Sequence, residues 1–406
     1  MVKINKIALL INWPREIDMF IQLIEALPQK QKEIIVNDIK SRERGRNNLY
    51  KIIVKVLKKK KLKYKLFSKI YKKEQYTVVI STGETCSEKI STYSILKFIY
   101  ARTIGLILQK TGLANIMVYL LNKPLTAEAH KNKLGSVWYP EKNLGKKIIK
   151  FPDGMDLKTK NYPYPEYENI FDTFLTLGKF ETKIIKKKFY KKNCFEMGYL
   201  RYENIQTKKK IYQQIFKEFK LNKNKKIIFW TPTHIDGNEE ADNINLWINK
   251  INALTKNYNI IIRPHPKTLM TRPNFVNKLN KLNYFVDKEQ NRKIGELFKI
   301  SDFVISDYGG TLFSAIYLDK PILALNLKND SEFVKGLKDN FSLDLIIRKK
   351  LICLNADTSI SNINKIPKLI MSKNYARVIK KLREKYFGLK IDKNINRTKN
   401  YLLNYL

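Results

Sequence analysis

The sequence predicts an α/β protein made of two doubly wound, parallel-sheet domains facing each other across a cleft. Three observations predict it. Short apolar, strand-like runs alternate with amphipathic, helix-like stretches. That alternation restarts in the second half of the chain. At 406 residues the chain is also long for one hydrophobic core. A hydrophobic content of 44% with 12% aromatics supplies packed interiors rather than disorder.

In chain order, "KIALLIN" is a strand, "REIDMFIQLIEALPQ" a helix and "KEIIVNDI" a strand. A basic helical stretch follows, then the strand "YTVVIST", apolar helices over residues 94–121 and the strand "GKKIIKF". "DTFLTLG" and "NCFEMGY" add short apolar runs. The second half repeats the pattern with the strands "NKKIIFWTPT", "YNIIIRPHP", "DFVISD" and "KPILALN". "WINKINALTKN" and "NFVNKLNKL" read as its helices. The Lys-rich stretch from Tyr202 to Lys226 carries the crossover. The expected division is 1–205, 206–385 and a C-terminal helix in 386–406 that packs back on the N-terminal domain.

A formal net charge of +42, from 79 basic and 37 acidic residues, calls for polyanionic surroundings: nucleic acid, anionic lipid or a phosphorylated substrate. The alternative is compositional, since Lys, Asn and Ile are all plentiful, as an A/T-rich genome would favour. No RNP, zinc-finger or helix-turn-helix pattern accompanies the charge, so nucleic acid is not the expected partner. Residues 47–73 mix eleven lysines with Ile, Val, Leu, Tyr and Phe. As a helix this stretch fits an anionic membrane surface, and "KIIKKKFYKKN" from Lys183 could add to the same face. A solvated helix with its apolar side on the sheet is the alternative. Three scattered cysteines, Cys86, Cys194 and Cys353, form neither a disulfide framework nor a metal pattern and fit a reducing cytoplasm. The N-terminus reads as a first strand rather than a signal peptide. Lys97, Arg102 and Lys110 interrupt the most apolar region, so no membrane-spanning helix is expected.

Ligands of doubly wound sheets sit beyond the carboxyl ends of the strands. Three such ends carry polar signatures: Thr231-Pro232-Thr233-His234, Arg263-Pro264-His265-Pro266-Lys267 and Ser306-Asp307-Tyr308-Gly309-Gly310-Thr311. All three offer donors or cations suited to phosphate. A Gly-Gly-Thr step before an amphipathic helix leaves backbone N–H groups at a helix start, where anions are favoured. The plainer alternative is a glycine-rich turn capped by Thr311.

These motifs resemble those of the CDP-glycerol glycerophosphotransferases, the teichoic-acid and capsule polymer transferases. "RPHP" is similar to the family's Arg-x-His-Pro, and "SDYGGTLFSAIYLDKP" to its Thr/Ser-Asp-Tyr-Ser-Ser-x-x-Phe-Asp…Lys-Pro. "TPTHID" and "MGYLRYENI" match two further elements, and the resemblance covers about residues 150–325. It implies the GT-B fold, two Rossmann-like domains with the nucleotide held mainly by the C-terminal one. There are departures. Gly309 and Gly310 replace two serines, Ser314 an Asp, and His234 and Ile235 a Trp-Arg pair. "FPDGMDLK" aligns with Trp-His-Gly-x-x-Leu-Lys and puts Asp153 where the family has its presumed basic histidine. The Gly-Gly pair is also similar to the sugar-nucleotide 2-epimerases, so the donor is left open.

The resemblance implies roles. Asp153 takes the acceptor's proton, with some burial expected to raise its pKa; a Pro-Asp-Gly turn is the alternative. His265 stabilises charge on the donor phosphates or leaving group. Arg263 suits phosphate but equally a carboxylate in the sheet. Thr231, Thr233, His234, Ser306, Asp307, Gly309, Gly310 and Thr311 complete the donor site, and His130 is expected at the surface. No Asp-x-Asp stands at a strand end, so transfer without metal or other cofactor is expected. The resulting expectation is a cytoplasmic enzyme, peripheral at the inner membrane face. It moves an alditol phosphate from a CDP-activated donor to a polymer or lipid-linked acceptor. Glycosyl transfer from a sugar nucleotide is the alternative chemistry, and nucleic-acid binding the non-enzymatic one.

Overall fold

The structure, a computed structural model, describes residues 1–39, 49–83, 86–87, 137–155, 157–164, 166–203, 205, 208–233, 247–265, 268–269, 273–289, 292–327, 332–339, 341–355, 357–388 and 394–406. The expected helices over 94–121, His130 and His234 lie outside the described residues. The chain forms two compact units. One comprises Met1–Asp153, Pro163–Glu203 and Ile391–Leu406; the other comprises Gly154–Tyr162 and Asn204–Lys390.

The main sheet of the first unit is built from β1 (Val2–Ile11), β2 (Lys32–Val36), β3 (Lys65–Leu66), β4 (Glu74–Ser81), β5 (Gly145–Lys150), β6 (Thr173–Thr176) and β7 (Asn193–Glu196). They lie in the order β3-β2-β1-β4-β5-β6-β7, all parallel. Parallel strands are buried on both faces, which is why the second half of β1, Ile7–Ile11, is apolar without alternation. Its Ile7, Leu9 and Ile11 pack on one side with Ile149, Leu175 and the helices α1 (Pro14–Ala26) and α2 (Leu49–Lys59). Ala8 and Leu10 pack on the other side with Phe67, Tyr76 and Val79. The helix α3 (Lys179–Lys188) joins a separate cluster through Ile185, beside Phe189, Ile148 and Phe174. A terminal helix, Asn394–Leu403, buries Ile395 and Leu402 in the α1 side of this unit's core. Its Tyr401 stacks on Phe195 at 4.1 Å.

Two expectations are corrected here. The basic stretch is not one helix: α2 ends at Lys59, Lys61 turns left-handed at φ 55°, and Leu62 N–H closes back on the Leu57 carbonyl at 3.0 Å. Lys65 then enters the sheet edge, with its ammonium 2.8 Å from Glu74 and 3.2 Å from Glu33. Nor does the Lys183–Asn193 stretch share the face of α2. Ile53 and Leu57 of α2 pack with Ile149 and Leu175, whereas Ile185 and Phe189 pack with Ile148 and Phe174. Neighbouring strand residues point to opposite faces, so the two basic stretches lie on opposite sides of the sheet.

The second unit holds β8 (Lys226–Thr231), β9 (Tyr258–Ile262), β10 (Phe285–Val286), β11 (Phe303–Ser306), β12 (Ile322–Leu325) and β13 (Ile352–Leu354). Their order is β10-β9-β8-β11-β12-β13, again all parallel. Both sheets start a strand in the same way. Asp172 and Asp302 each accept the N–H of a neighbouring-strand residue, Ile148 and Ile227, at 2.8 Å. Each also returns its own N–H to that residue's carbonyl at 2.8 Å. Residues 154–162, expected with the N-terminal domain, fold with this second unit. The Thr159 N–H reaches the Phe341 carbonyl at 2.9 Å, and Leu343 N–H reaches the Leu157 carbonyl at 3.1 Å. No helix among the described residues is long and apolar enough to cross a membrane.

Candidate functional site

The sheet order of the second unit places the three polar strand ends side by side, because β9, β8 and β11 are neighbours. Thr231 pairs with Ser306 and Trp230 with Ile262, so the loops leave the sheet at nearly the same level. Asp307 then ties two of them together. Its buried carboxylate accepts the Thr233 N–H at 2.9 Å and the Thr233 hydroxyl at 3.4 Å. Burial pushes the Asp307 carboxyl up to about 6, against the hydrogen bond from Thr233 and the charge of Arg348. One of its oxygens, Oδ1, has no hydrogen-bond partner among the described residues.

The glycine turn leads into α4 (Gly310–Tyr317), of which Gly309 is the N-cap. Ser306 and Thr311 hydroxyls lie 2.8 Å apart, and Ser314 donates to the Gly310 carbonyl at 2.6 Å. One expectation changes. The Gly309 N–H is already given, at 2.6 Å, to the carboxylate of Asp344. The N–H groups of Gly310 and Thr311 head the first turn of α4. A side chain built on Gly309 would meet nothing within 4 Å, so the space in front of the turn is open.

Arg263 and His265 occupy the end of β9 with different commitments. The Arg263 guanidinium donates to the carbonyls of Arg292 at 3.0 Å and Glu289 at 3.2 Å, and sits 3.4 Å from Asp287. It clamps the 287–292 segment, the carboxylate-pairing alternative that its planar fork also allows. His265 is exposed, and its carbonyl accepts the Leu269 N–H at 3.1 Å.

In the first unit Asp153 is the last residue of its segment, and its side chain is 48% exposed. The burial expected of it is absent; it lies three residues beyond Lys150, the last residue of β5. What sequence reading missed lies behind it. Lys150, buried at the end of β5, donates to the Thr82 carbonyl and sits 3.2 Å from Glu168 and 3.5 Å from Asp153. Burial disfavours its charge, yet the carboxylates of Glu168 and Asp153 hold the ammonium above its ordinary range. Beside it Glu16 accepts the N–H groups of Asn12 at 2.6 Å and Trp13 at 3.1 Å, and the Thr82 hydroxyl. Burial raises Glu16 and Glu181 to about 7 each. The only trace in the sequence is a lysine closing an apolar strand.

Residues 142–340 match the family model described as CDP-Glycerol:Poly(glycerophosphate) glycerophosphotransferase. A 162-residue stretch is 29% identical to the teichoic acid poly(glycerol phosphate) polymerase of Bacillus spizizenii. That match spans 38% of this chain and 40% of the polymerase's own length. Among solved structures, the wall teichoic acid polymerase TagF soaked with CDPG aligns over 99% of this chain and 88% of its own, at TM-score 0.55 and 15% identity. The UDP-GlcNAc 2-epimerase of Neisseria meningitidis aligns over 98% of this chain and all of its own, at TM-score 0.51 and 14% identity. At those identities the likeness concerns the fold, which is GT-B. Residues 142–340 thus carry the sequence pattern of the CDP-glycerol:poly(glycerophosphate) glycerophosphotransferase family, on a GT-B fold.

Proposed function

We propose that the chain is a cell-envelope transferase that moves glycerol phosphate, or a similar alditol phosphate, from a CDP-activated donor to a hydroxyl of a polymer or lipid-linked acceptor. The acceptor oxygen attacks the β-phosphorus, the bond to the CMP moiety breaks, and CMP leaves. The observation that carries this reading is the row of polar strand ends on β9, β8 and β11, all inside the family-matching segment. His265 is the proposed partner of the donor phosphates, with the Gly310 and Thr311 N–H groups at the start of α4 and the hydroxyls of Thr231 and Thr233. Asp307 orders the loops rather than touching the donor, and Arg263 holds the 287–292 wall. Asp153 is the proposed base, its exposed carboxylate accessible to an acceptor hydroxyl. The protein works at the inner face of the membrane, attached peripherally through α2.

Glycosyl transfer from a sugar nucleotide is the second reading, favoured by the glycine pair that replaces the family's serines. Incubating the purified protein with CDP-glycerol, CDP-ribitol, CMP-sugars and UDP-sugars in turn separates the two. CMP release from a CDP-alcohol is the expected result, and turnover of a UDP-sugar alone sinks the phosphotransferase reading. Asp153→Asn should keep donor binding and lose about 10²–10⁴ in turnover, the usual contribution of a general base. Wild-type turnover in that variant would reduce Asp153 to a turn residue.

A further inference from the structure

We propose that Asp344 and Arg348 are positioning residues that set the Gly309–Thr311 turn for the donor's phosphates. The proposal rests on the reading of that turn as donor-binding. Both residues lie beyond the family-matching segment, on and directly after the short helix α5 (Asp344–Ile347).

Arg348 is 6% exposed, and its guanidinium is committed on all sides. It donates to the Asp307 carbonyl, to the Leu325 carbonyl at 2.5 Å, and through Nε and Nη2 to Asn326 Oδ1 at 3.1 and 2.6 Å. Its Cζ lies 3.9 Å from the centre of the Tyr308 ring. Asp307 and Tyr308 begin the glycine turn, whereas Leu325 and Asn326 end the adjacent strand β12. One planar group thus fixes the spacing of two strand ends and the orientation of the residue before Gly309. A guanidinium makes such a fork; an ammonium is a point charge and does not.

Asp344 finishes the arrangement. It is fully buried, its Oδ2 takes the Gly309 N–H at 2.6 Å, and its Oδ1 stands 3.6 Å from Arg348 Nη1. Holding the Gly309 amide fixes the plane from which the next two N–H groups project. The ion pair also cancels the carboxylate's charge. Without Arg348, a buried anion behind the turn would repel the diphosphate that the turn is built to attract. The guanidinium's hydrogen bonds and the Asp344 Oδ2 contact all fall on the turn or the end of β12, which makes the pair a brace for the turn.

The test uses the whole chain and CDP-glycerol titrated by calorimetry, with near-UV circular dichroism to confirm folding. The wild type must bind first: no binding of CDP-glycerol by the wild type defeats the functional reading itself, independently of the pair. With wild-type binding in hand, Asp344→Asn keeps an acceptor for the Gly309 N–H and should bind within a few-fold of wild type. Asp344→Ala removes it and should weaken binding about ten- to a hundredfold, the worth of a hydrogen bond to a charged group. Arg348→Lys keeps the charge without the fork and should raise the donor KM more than it lowers kcat at saturating donor. Folded Asp344→Ala and Arg348→Lys variants with wild-type affinity would overturn the proposal. So would failure of both to fold, which would make the pair a determinant of stability alone.

Discussion

At Gly309 the backbone sits at φ 83° and ψ −155°, a combination essentially closed to residues with side chains. The family that residues 142–340 resemble commonly carries serine there. The glycine is therefore a different turn, not a serine turn that has lost its hydroxyl. Gly309→Ser should destabilise the protein by about 1–3 kcal/mol, the usual cost of a side chain in that region, and weaken donor binding with it. Gly310→Ser should be close to neutral, because an added Cβ there meets no atom nearer than the Met155 carbonyl oxygen at 3.4 Å. Thermal unfolding of the two variants, followed by nucleotide titration, checks the contrast; a Gly309→Ser protein as stable as wild type would contradict it. The same residues show what a sequence exposes about a site. Thr, Arg, His and Gly at strand ends are visible because strands and their ends are visible. Their partners are not: Gly309 gives its N–H to a residue 35 positions away, and Arg263 meets a carboxylate at Asp287. Both pairings are closed only by the fold.

Among the elements, α1 shows how a buried acid can be a structural fixture and still govern pH behaviour. Glu16 sits in the first turn, accepts two backbone N–H groups and the Thr82 hydroxyl, and is pushed up to about 7 from 4.5 by burial. A carboxyl raised on folding stabilises most below its unfolded pKa, and that stability is lost as pH rises through the folded value. That rise in pKa corresponds to roughly 3 kcal/mol. Glu16→Gln keeps an acceptor for the two N–H groups and presents a donor to Thr82, so it should gain about 2–3 kcal/mol on wild type between pH 5 and 8. Urea unfolding across that range measures it, and a pH-independent difference would refute it. The central strands β1, β4, β8 and β11 are legible in the sequence because burial on both faces writes an apolar run into each: Ile7–Ile11, Val78–Ile80, Ile227–Trp230 and Phe303–Ile305. The edge strands β3, β10 and β13 are not, since two or three residues carry no periodicity. α2 is legible as a helix but not in its length. Its end depends on a left-handed Lys61 and on ion pairs with Glu33 and Glu74 that no local pattern announces.

For the molecule as a whole, the net charge of +42 becomes specific only through its distribution. α2 has already spent Ile53 and Leu57 on the core, leaving Ile52 exposed among Lys51, Lys55 and the run Lys58–Lys61. Little apolar surface remains to insert into a bilayer, so the proposed attachment through this helix would be electrostatic and should fade as salt shortens the screening length. The other basic stretch, with Tyr190 78% exposed beside Lys187, Lys188 and Lys191, lies across the sheet. A flat membrane cannot touch both faces at once, so the two stretches make opposite predictions. Replacing Lys58–Lys61 with Glu should release the protein from vesicles containing phosphatidylserine, at about 1 kcal/mol for each lysine near the surface. Replacing Lys186–Lys188 and Lys191 with Glu changes the net charge by the same amount and should leave the protein bound. Co-sedimentation at low and physiological salt measures both. Release by the second set alone would move the docking face to the α3 side. Equal release by both would mean that bulk charge, not a face of this fold, holds the protein to the membrane.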